Sequence, residues 1–517
     1  MRKYSKIILA VLDGFGVASP SNGNAVSSAN LKFFQELISF YPTKVIQASG
    51  PAVGLPWGEK GNSEVGHLNM GAGRVVIQEL PRINMSIMDG SFQSNPALLG
   101  AMRQAIDNRS TLHLAGLIGT GTIHAYEQHL YALIEMARNL GVKKIALHLF
   151  SDGRDSPAKT AIASVKNIEK KIEEWQEVSV ASVTGRFYAM DRGLHLKQTE
   201  AAINAIVFGQ GDKFLSASEA LEQRYQNGMT DEMIPPSVIV DKGDFARGLV
   251  HEGDAAIFFN YRNDRMIQLV KMFFERAPKV KVATMTAYSP TLAAQVAFPP
   301  LEIKDTLSEI ISNKGLKQFH AAESEKFAHV TFFFNGHRHE PWPGEERFIV
   351  KSPEANIKNY VDVPEMSAKP LTDEVVKRIR ESDDSFILVN YANGDMVGHT
   401  GDLDAVKKAV LTLDQSLQRL AEAASDAGAL LMITADHGNC EQMVNITSGE
   451  VDTEHSTNPV PLIFYADDLR FTEKSNINLY TLAGIVPEGI LPDIAPTVLS
   501  GLGIEVPMAM TGKVIEI

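Results

Sequence analysis

The run Leu430-Leu431-Met432-Ile433-Thr434 reads as a buried strand and stops abruptly at Asp436-His437-Gly438-Asn439, which puts two potential metal ligands at a strand end. Strands covered on both faces read as continuous apolar runs rather than alternating ones. In open α/β sheets, ligands collect beyond the strands' carboxyl ends. The pattern recurs twice. Lys6-Ile7-Ile8-Leu9-Ala10-Val11-Leu12 runs into Asp13-Gly14-Phe15-Gly16, and Phe386-Ile387-Leu388-Val389-Asn390-Tyr391 leads through Ala392-Asn393-Gly394 to Asp395, with His399 four residues on. A chain with three such strands folds as an α/β sheet with acidic groups at one edge.

One aspartate after a strand is ordinarily a helix cap or a turn residue. The set is different. Asp13, Asp395, His399, Asp436, His437 and, further on, His455 supply carboxylates and imidazoles together. Mixed oxygen and nitrogen donors suit manganese, zinc or cobalt better than calcium, and the set exceeds what one tetrahedral ion needs. Two metal ions are the expectation.

The chain has 517 residues, 44% of them hydrophobic, more than one core usually supports, so two domains are expected. Between about residue 80 and residue 305 a second strand and helix alternation appears, with strands at Thr111–Ile118, Lys144–Phe150, Val178–Val183, Ala255–Asn260 and Val280–Met285. Because the ligand candidates lie on both sides of it, this α/β unit reads as an insertion into a discontinuous first domain. Residues 1–79 and 300–517 form the outer domain in this reading and 80–299 the insert. The crossings fall near Glu79-Leu80-Pro81 and Ala297-Phe298-Pro299-Pro300, where prolines interrupt the pattern.

A net charge of −13 argues against nonspecific binding to nucleic acid or anionic membranes. No apolar run approaches a membrane span, and Met1-Arg2-Lys3-Tyr4-Ser5-Lys6 passes into a strand without a signal-peptide pattern, which predicts a cytoplasmic protein. The single cysteine, Cys440, excludes an internal disulfide and is either a packing residue or, beside the proposed site, an oxidation-sensitive one. An anionic substrate needs a local basic pocket. The insert offers Arg154, Arg186, Arg192, Arg262 and Arg265 after its strands, able to clamp a carboxylate and a phosphate through forked hydrogen bonds, or simply to pair with Asp155, Asp191 and Asp264. His124 opens a helix-like stretch and serves the same anion or the structure. Ser63, in a glycine-flanked turn, is either a helix cap or a nucleophile activated by a metal, with no Gly-x-Ser-x-Gly elbow around it.

The stretch from Gly61-Asn62-Ser63-Glu64-Val65-Gly66-His67 to Gly71-Ala72-Gly73-Arg74, with Asp152-Gly153-Arg154-Asp155, Gly185-Arg186-Phe187-Tyr188-Ala189-Met190-Asp191-Arg192, Asp395-Met396-Val397-Gly398-His399-Thr400-Gly401 and Thr434-Ala435-Asp436-His437-Gly438-Asn439, closely resembles the 2,3-bisphosphoglycerate-independent (cofactor-independent) phosphoglycerate mutases of the alkaline phosphatase superfamily. The likeness spans nearly the whole chain. It implies an alkaline-phosphatase-like metal-binding core with an inserted substrate domain, and interconversion of 3- and 2-phosphoglycerate in glycolysis and gluconeogenesis. It further implies two ions, usually manganese, with Asp395, His399 and His455 holding one and Asp13, Ser63, Asp436 and His437 the other. Ser63 becomes the phosphorylated nucleophile, Asp155 the acid and base, and His124, Arg154, Asp155, Arg186, Arg192, Arg262, Arg265 and Lys326 the substrate contacts. A monomer that closes its domains over the intermediate to exclude water is the expectation.

Some positions depart from the family pattern: Gly119-Thr120-Gly121-Thr122, Tyr126, Gly193-Leu194-His195-Leu196 and Glu346-Arg347-Phe348-Ile349-Val350-Lys351. None removes an implied ligand or clamp arginine. The rivals are a metal-dependent phosphatase or phosphodiesterase of the same superfamily, which should lack the arginine-rich insert, a phosphopentomutase, which is shorter and typically has threonine for Ser63, and a non-catalytic scaffold, which should have lost ligands.

Overall fold

The computed structural model describes residues 3–354, 360–445 and 448–517; Met1 and Arg2 of the opening stretch lie outside the described residues. Two α/β units divide the chain, Met1–Gln78 with Glu302–Ile517 and Glu79–Leu301.

The first unit is built on an eight-stranded sheet in the order Glu345–Val350, Gln318–Glu323, Phe386–Tyr391, Ile7–Leu12, Leu430–Thr434, Val460–Tyr465, Thr43–Gln47 and Gly489–Ile490. Its three central strands are the apolar runs of the sequence, buried along their whole length. They are parallel and nearly flush, with Leu12 beside Tyr391 and Val11 beside Thr434. All three therefore release their chains at the same edge. Val460–Tyr465 runs antiparallel between Leu430–Thr434 and Thr43–Gln47. The core includes Phe15, Phe34, Tyr360, Phe386 and Phe464.

The second unit has its own eight-stranded sheet, ordered Gln295–Phe298, Lys281–Thr286, Ala255–Phe258, Leu112–Ile118, Ile145–Ser151, Val178–Gly185, Ser237–Ile239 and Asp212–Phe214. Only the Val178–Gly185 and Ser237–Ile239 pairing is antiparallel. Ile118, Ser151 and Gly185 end side by side, which gathers the loops that follow them. Phe150, Phe258, Phe259 and Phe273 fill a separate core.

Two local expectations change. Leu80-Pro81 does not interrupt structure but lies in the first turn of the helix Glu79–Met88, where a missing backbone N–H costs nothing. His124 does not start a helix, because the helical stretch begins at Glu127. Among the described residues no helix is long and apolar enough to cross a membrane.

Candidate active site

Ser63 is the first residue of the helix Ser63–Ala72 rather than part of a turn, and Asn62 is the cap, its side chain accepting from Val65 N. That leaves the Ser63 hydroxyl free for chemistry at the positive end of a helix dipole, a position that favours anions. Gly66, one turn in, permits the approach: a Cβ there would come within 2.7 Å of the Asp436 carbonyl oxygen. Ser63 Oγ lies 3.1 Å from both Asp13 Oδ1 and His437 Nε2.

Two ligand groups emerge at this edge, Asp13 with Asp436 and His437, and Asp395 with His399 and His455. In the second, both imidazole Nε2 atoms approach Asp395 Oδ1, His455 at 3.1 Å and His399 at 3.3 Å. Each histidine uses its Nδ1 on a backbone carbonyl: His399 on Thr453 at 2.7 Å, His455 on Gly61 at 2.8 Å and His437 on Gly438 at 3.2 Å. With Nδ1 committed to a carbonyl, each Nε2 is the ring atom that turns a lone pair inward once it is free of a proton, and those of His399 and His455 face each other across 3.2 Å. Converging lone pairs call for a cation between them. Among the described residues no hydrogen bond reaches the buried Asp436 Oδ2, which leaves a carboxylate oxygen for the same purpose. The donors therefore fit divalent metal ions.

The electrostatics agree. Burial alone would lower the His437 pKa, but Asp436, Asp13 and Asp395 hold it up at about 10. Burial would raise the Asp13 and Asp395 carboxyls, yet the Lys326 ammonium, 2.7 Å from each, keeps both well below the usual range. The carboxylates in turn overcome the burial of Lys326 and raise its pKa.

In the second unit, the expected clamp residues collect beyond neighbouring strand ends. Arg186, buried, bridges Asp152 Oδ1 and Asp155 Oδ2 at 2.5 Å each. Arg192 and Arg262 are half exposed and meet on Asp264, at 2.8 and 3.2 Å. Arg154 stands 3.7 Å from Glu232, and Arg265 donates to the Met190 carbonyl oxygen at 3.3 Å. Burial and the nearby Arg186, Arg192 and Arg154 lower the Arg265 pKa, the mark of cations crowded together. His124 is buried 3.7 Å from both Asp155 and Asp264, and its Nδ1 has no hydrogen-bond partner among the described residues. Burial, reinforced by Arg186, lowers it to about 4, so it is a neutral ring at pH 7.

Residues 5–506 match the model of the Metalloenzyme superfamily. The chain is 43% identical over 517 residues to the 2,3-bisphosphoglycerate-independent phosphoglycerate mutase of Moorella thermoacetica, covering 98% of this chain and 97% of that one. The chain belongs to the 2,3-bisphosphoglycerate-independent phosphoglycerate mutases. A Methanosarcina acetivorans member is 42% identical over 98% of both chains. The crystal structure of Leishmania mexicana phosphoglycerate mutase at low cobalt concentration superposes with a TM-score of 0.68 at 28% identity, covering 100% of this chain and 98% of that one. Like the superfamily, this mutase family member has an α/β metalloenzyme architecture.

Several expectations for the mutase are refined by the geometry. Lys326, expected as a substrate contact, sits among the metal-ligand candidates, 2.8 Å from Ser63 Oγ. Asp191 pairs with His195 and Gln268 rather than with an arginine. Cys440 is buried and its thiol pKa is pushed up by burial, which suits packing rather than reactivity. Sequence reasoning missed His67 and Asn390. Asn390 Nδ2 donates to Asp13 Oδ2 at 2.8 Å and to His67 Nε2 at 3.0 Å. That fixes the His67 proton on Nδ1, which donates to the Ser63 carbonyl at 2.9 Å. The spacing of His67, one turn from Ser63, was the available signal.

Proposed function

We propose that this chain interconverts 3-phosphoglycerate and 2-phosphoglycerate by way of phosphoserine at Ser63. The observation that carries this reading is the setting of the Ser63 hydroxyl, at a helix N-terminus and in contact with Asp13, His437 and Lys326. Asp395, His399 and His455 would hold one divalent ion and Asp13, Ser63, Asp436 and His437 the other. Bound there, such ions, manganese in this proposal, supply Lewis-acid neutralisation of phosphoryl oxygens and ease ionisation of the serine hydroxyl.

The chain's own groups do the rest. Ser63 Oγ donates a hydrogen bond to Asp13 while Lys326 donates to the same serine oxygen, so negative charge on it is met by an ammonium 2.8 Å away. The helix N-terminus favours the phosphoryl group once it is on Ser63. Arg154, Arg186, Arg192, Arg262 and Arg265 hold the glycerate's anionic groups, with neutral His124 as a hydrogen-bond partner. Asp155, hydrogen-bonded by Arg186, serves as base for the attacking hydroxyl and as acid for the leaving one. Retaining glycerate while it reorients separates a mutase from a phosphatase, and the arginine clamp supplies that retention. The same proposal has the protein working as a cytoplasmic monomer on a small-molecule substrate; its single cysteine fits a reducing compartment.

The test is conversion of 3-phosphoglycerate to 2-phosphoglycerate by purified protein with manganese and without 2,3-bisphosphoglycerate, repeated after chelation. Isomerisation that chelation abolishes is the expected result. Release of inorganic phosphate without isomer would favour the phosphatase reading instead.

A further inference from the structure

Glu441 lies two residues beyond Asn439 and touches neither Ser63 nor any ligand side chain by hydrogen bond, yet it is buried to 2% exposure. Its Oε2 accepts from Gly16 N at 3.0 Å and Asn439 N at 2.8 Å. Its Oε1 accepts from Asn458 Nδ2 at 2.9 Å and from Ser456 Oγ. Four donors thus converge on two oxygens, a demand that a carboxylate meets and an amide does not.

The donors come from three separate segments. Gly16 follows Asp13 on the exit from the central strand, Asn439 follows Asp436 and His437, and Ser456 follows His455 directly. Asn439 extends the link to a fourth, because its Nδ2 donates to Asp395 Oδ1 at 3.3 Å. Space has been cleared for the carboxylate as well: a Cβ at Gly16 would overlap the Glu441 carboxyl group, and one at Gly438 would overlap Ser456 Oγ and Glu441 Oε1.

We infer that Glu441 is a positioning residue that ties the loops of both ligand groups together, so that the affinity of both metal sites depends on one carboxylate bound to neither. This rests on the ligand assignment proposed above. Glu441→Gln keeps the shape and sets an NH2 against donors, loosening the loops without removing a ligand. Outer hydrogen-bond partners of metal ligands typically govern about 10- to 100-fold in affinity.

The experiment is titration of chelator-treated full-length protein with Mn2+, following the free ion by electron paramagnetic resonance. The unaltered protein should bind two ions. Glu441→Gln should bind both about tenfold or more weakly, with native circular dichroism, and turnover should recover at high Mn2+ with an unchanged KM for 3-phosphoglycerate. Ser456→Ala, which removes one donor and leaves the carboxylate in place, guards against a folding failure and should weaken both sites by a smaller factor. Wild-type affinity at both sites in the folded variants, or weakening of one site alone, overturns the inference while leaving the ligand assignment standing. No Mn2+ bound by the unaltered protein overturns the assignment and this inference with it.

Discussion

Lys326 Nζ lies 2.8 Å from Ser63 Oγ, and the same ammonium is shared between Asp13 and Asp395 at 2.7 Å each. A lysine that sequence alone would leave on the surface is thus the fixed cation beside the proposed nucleophile. Lys326→Met should cut kcat by about 10²- to 10³-fold, the loss typical of one preorganised donor to a developing anion. Initial rates at saturating metal and substrate would measure it, and a loss under about threefold would assign Lys326 a purely structural part.

Arg186 and Arg192 should separate stability from binding. Arg186 and its partner Asp152 are each 2% exposed, so Arg186→Met strands the buried Asp152 carboxylate and should destabilise the fold by about 3–5 kcal/mol. Arg192, 57% exposed, should cost under about 1 kcal/mol when changed to alanine yet raise the KM for phosphoglycerate. Urea unfolding and steady-state kinetics on both variants make the comparison.

Metal affinity should weaken in mild acid. His437 is held up at about 10 by the surrounding carboxylates, so the metal-free protein carries its proton across the neutral range and binding must displace it. Each proton displaced gives about a tenfold loss of apparent affinity per pH unit. Titration with Mn2+ at pH 8, 7 and 6 should show that slope, and activity at fixed, limiting metal should fall in parallel. A flat profile would mean that no ring proton competes.

His129 supplies an acid-stability test away from the chemistry. It is fully buried and burial lowers its pKa to about 4 from the ordinary 6.5. Between those values the unfolded chain binds a proton that the folded chain does not, so folding stability falls as pH drops below 6.5 and is unaffected above it. From pH 7 to pH 5 the loss is about 2 kcal/mol. His129→Gln should remove that part of the pH dependence, read as a smaller change in urea stability between the two pH values than in the unaltered protein.

Legibility followed the source of each element's stability. Ile7–Leu12, Phe386–Tyr391 and Leu430–Thr434 could be read because burial on both faces writes an unbroken apolar run. Thr43–Gln47 and Val460–Tyr465 were not read: the first mixes polar with apolar residues, and the second carries Pro461. In the site, Asp13, Asp395 and Asp436 announced themselves at strand ends, and the arginines by their position after strands. Glu441 and Asn390 did not, since their roles arise only where distant segments meet.

By itself the sequence determined the α/β class, the edge at which the acidic and imidazole groups gather, and the family motifs, because side-chain type and burial pattern are local properties of the chain. Only the tertiary structure decided which carboxylate meets which histidine, that Lys326 lies against Ser63, and that one carboxylate spans both ligand groups. Those contacts join residues as far apart as Gly16 and Glu441, 425 positions in sequence, and they exist because parallel strands in flush register bring their ends to one place.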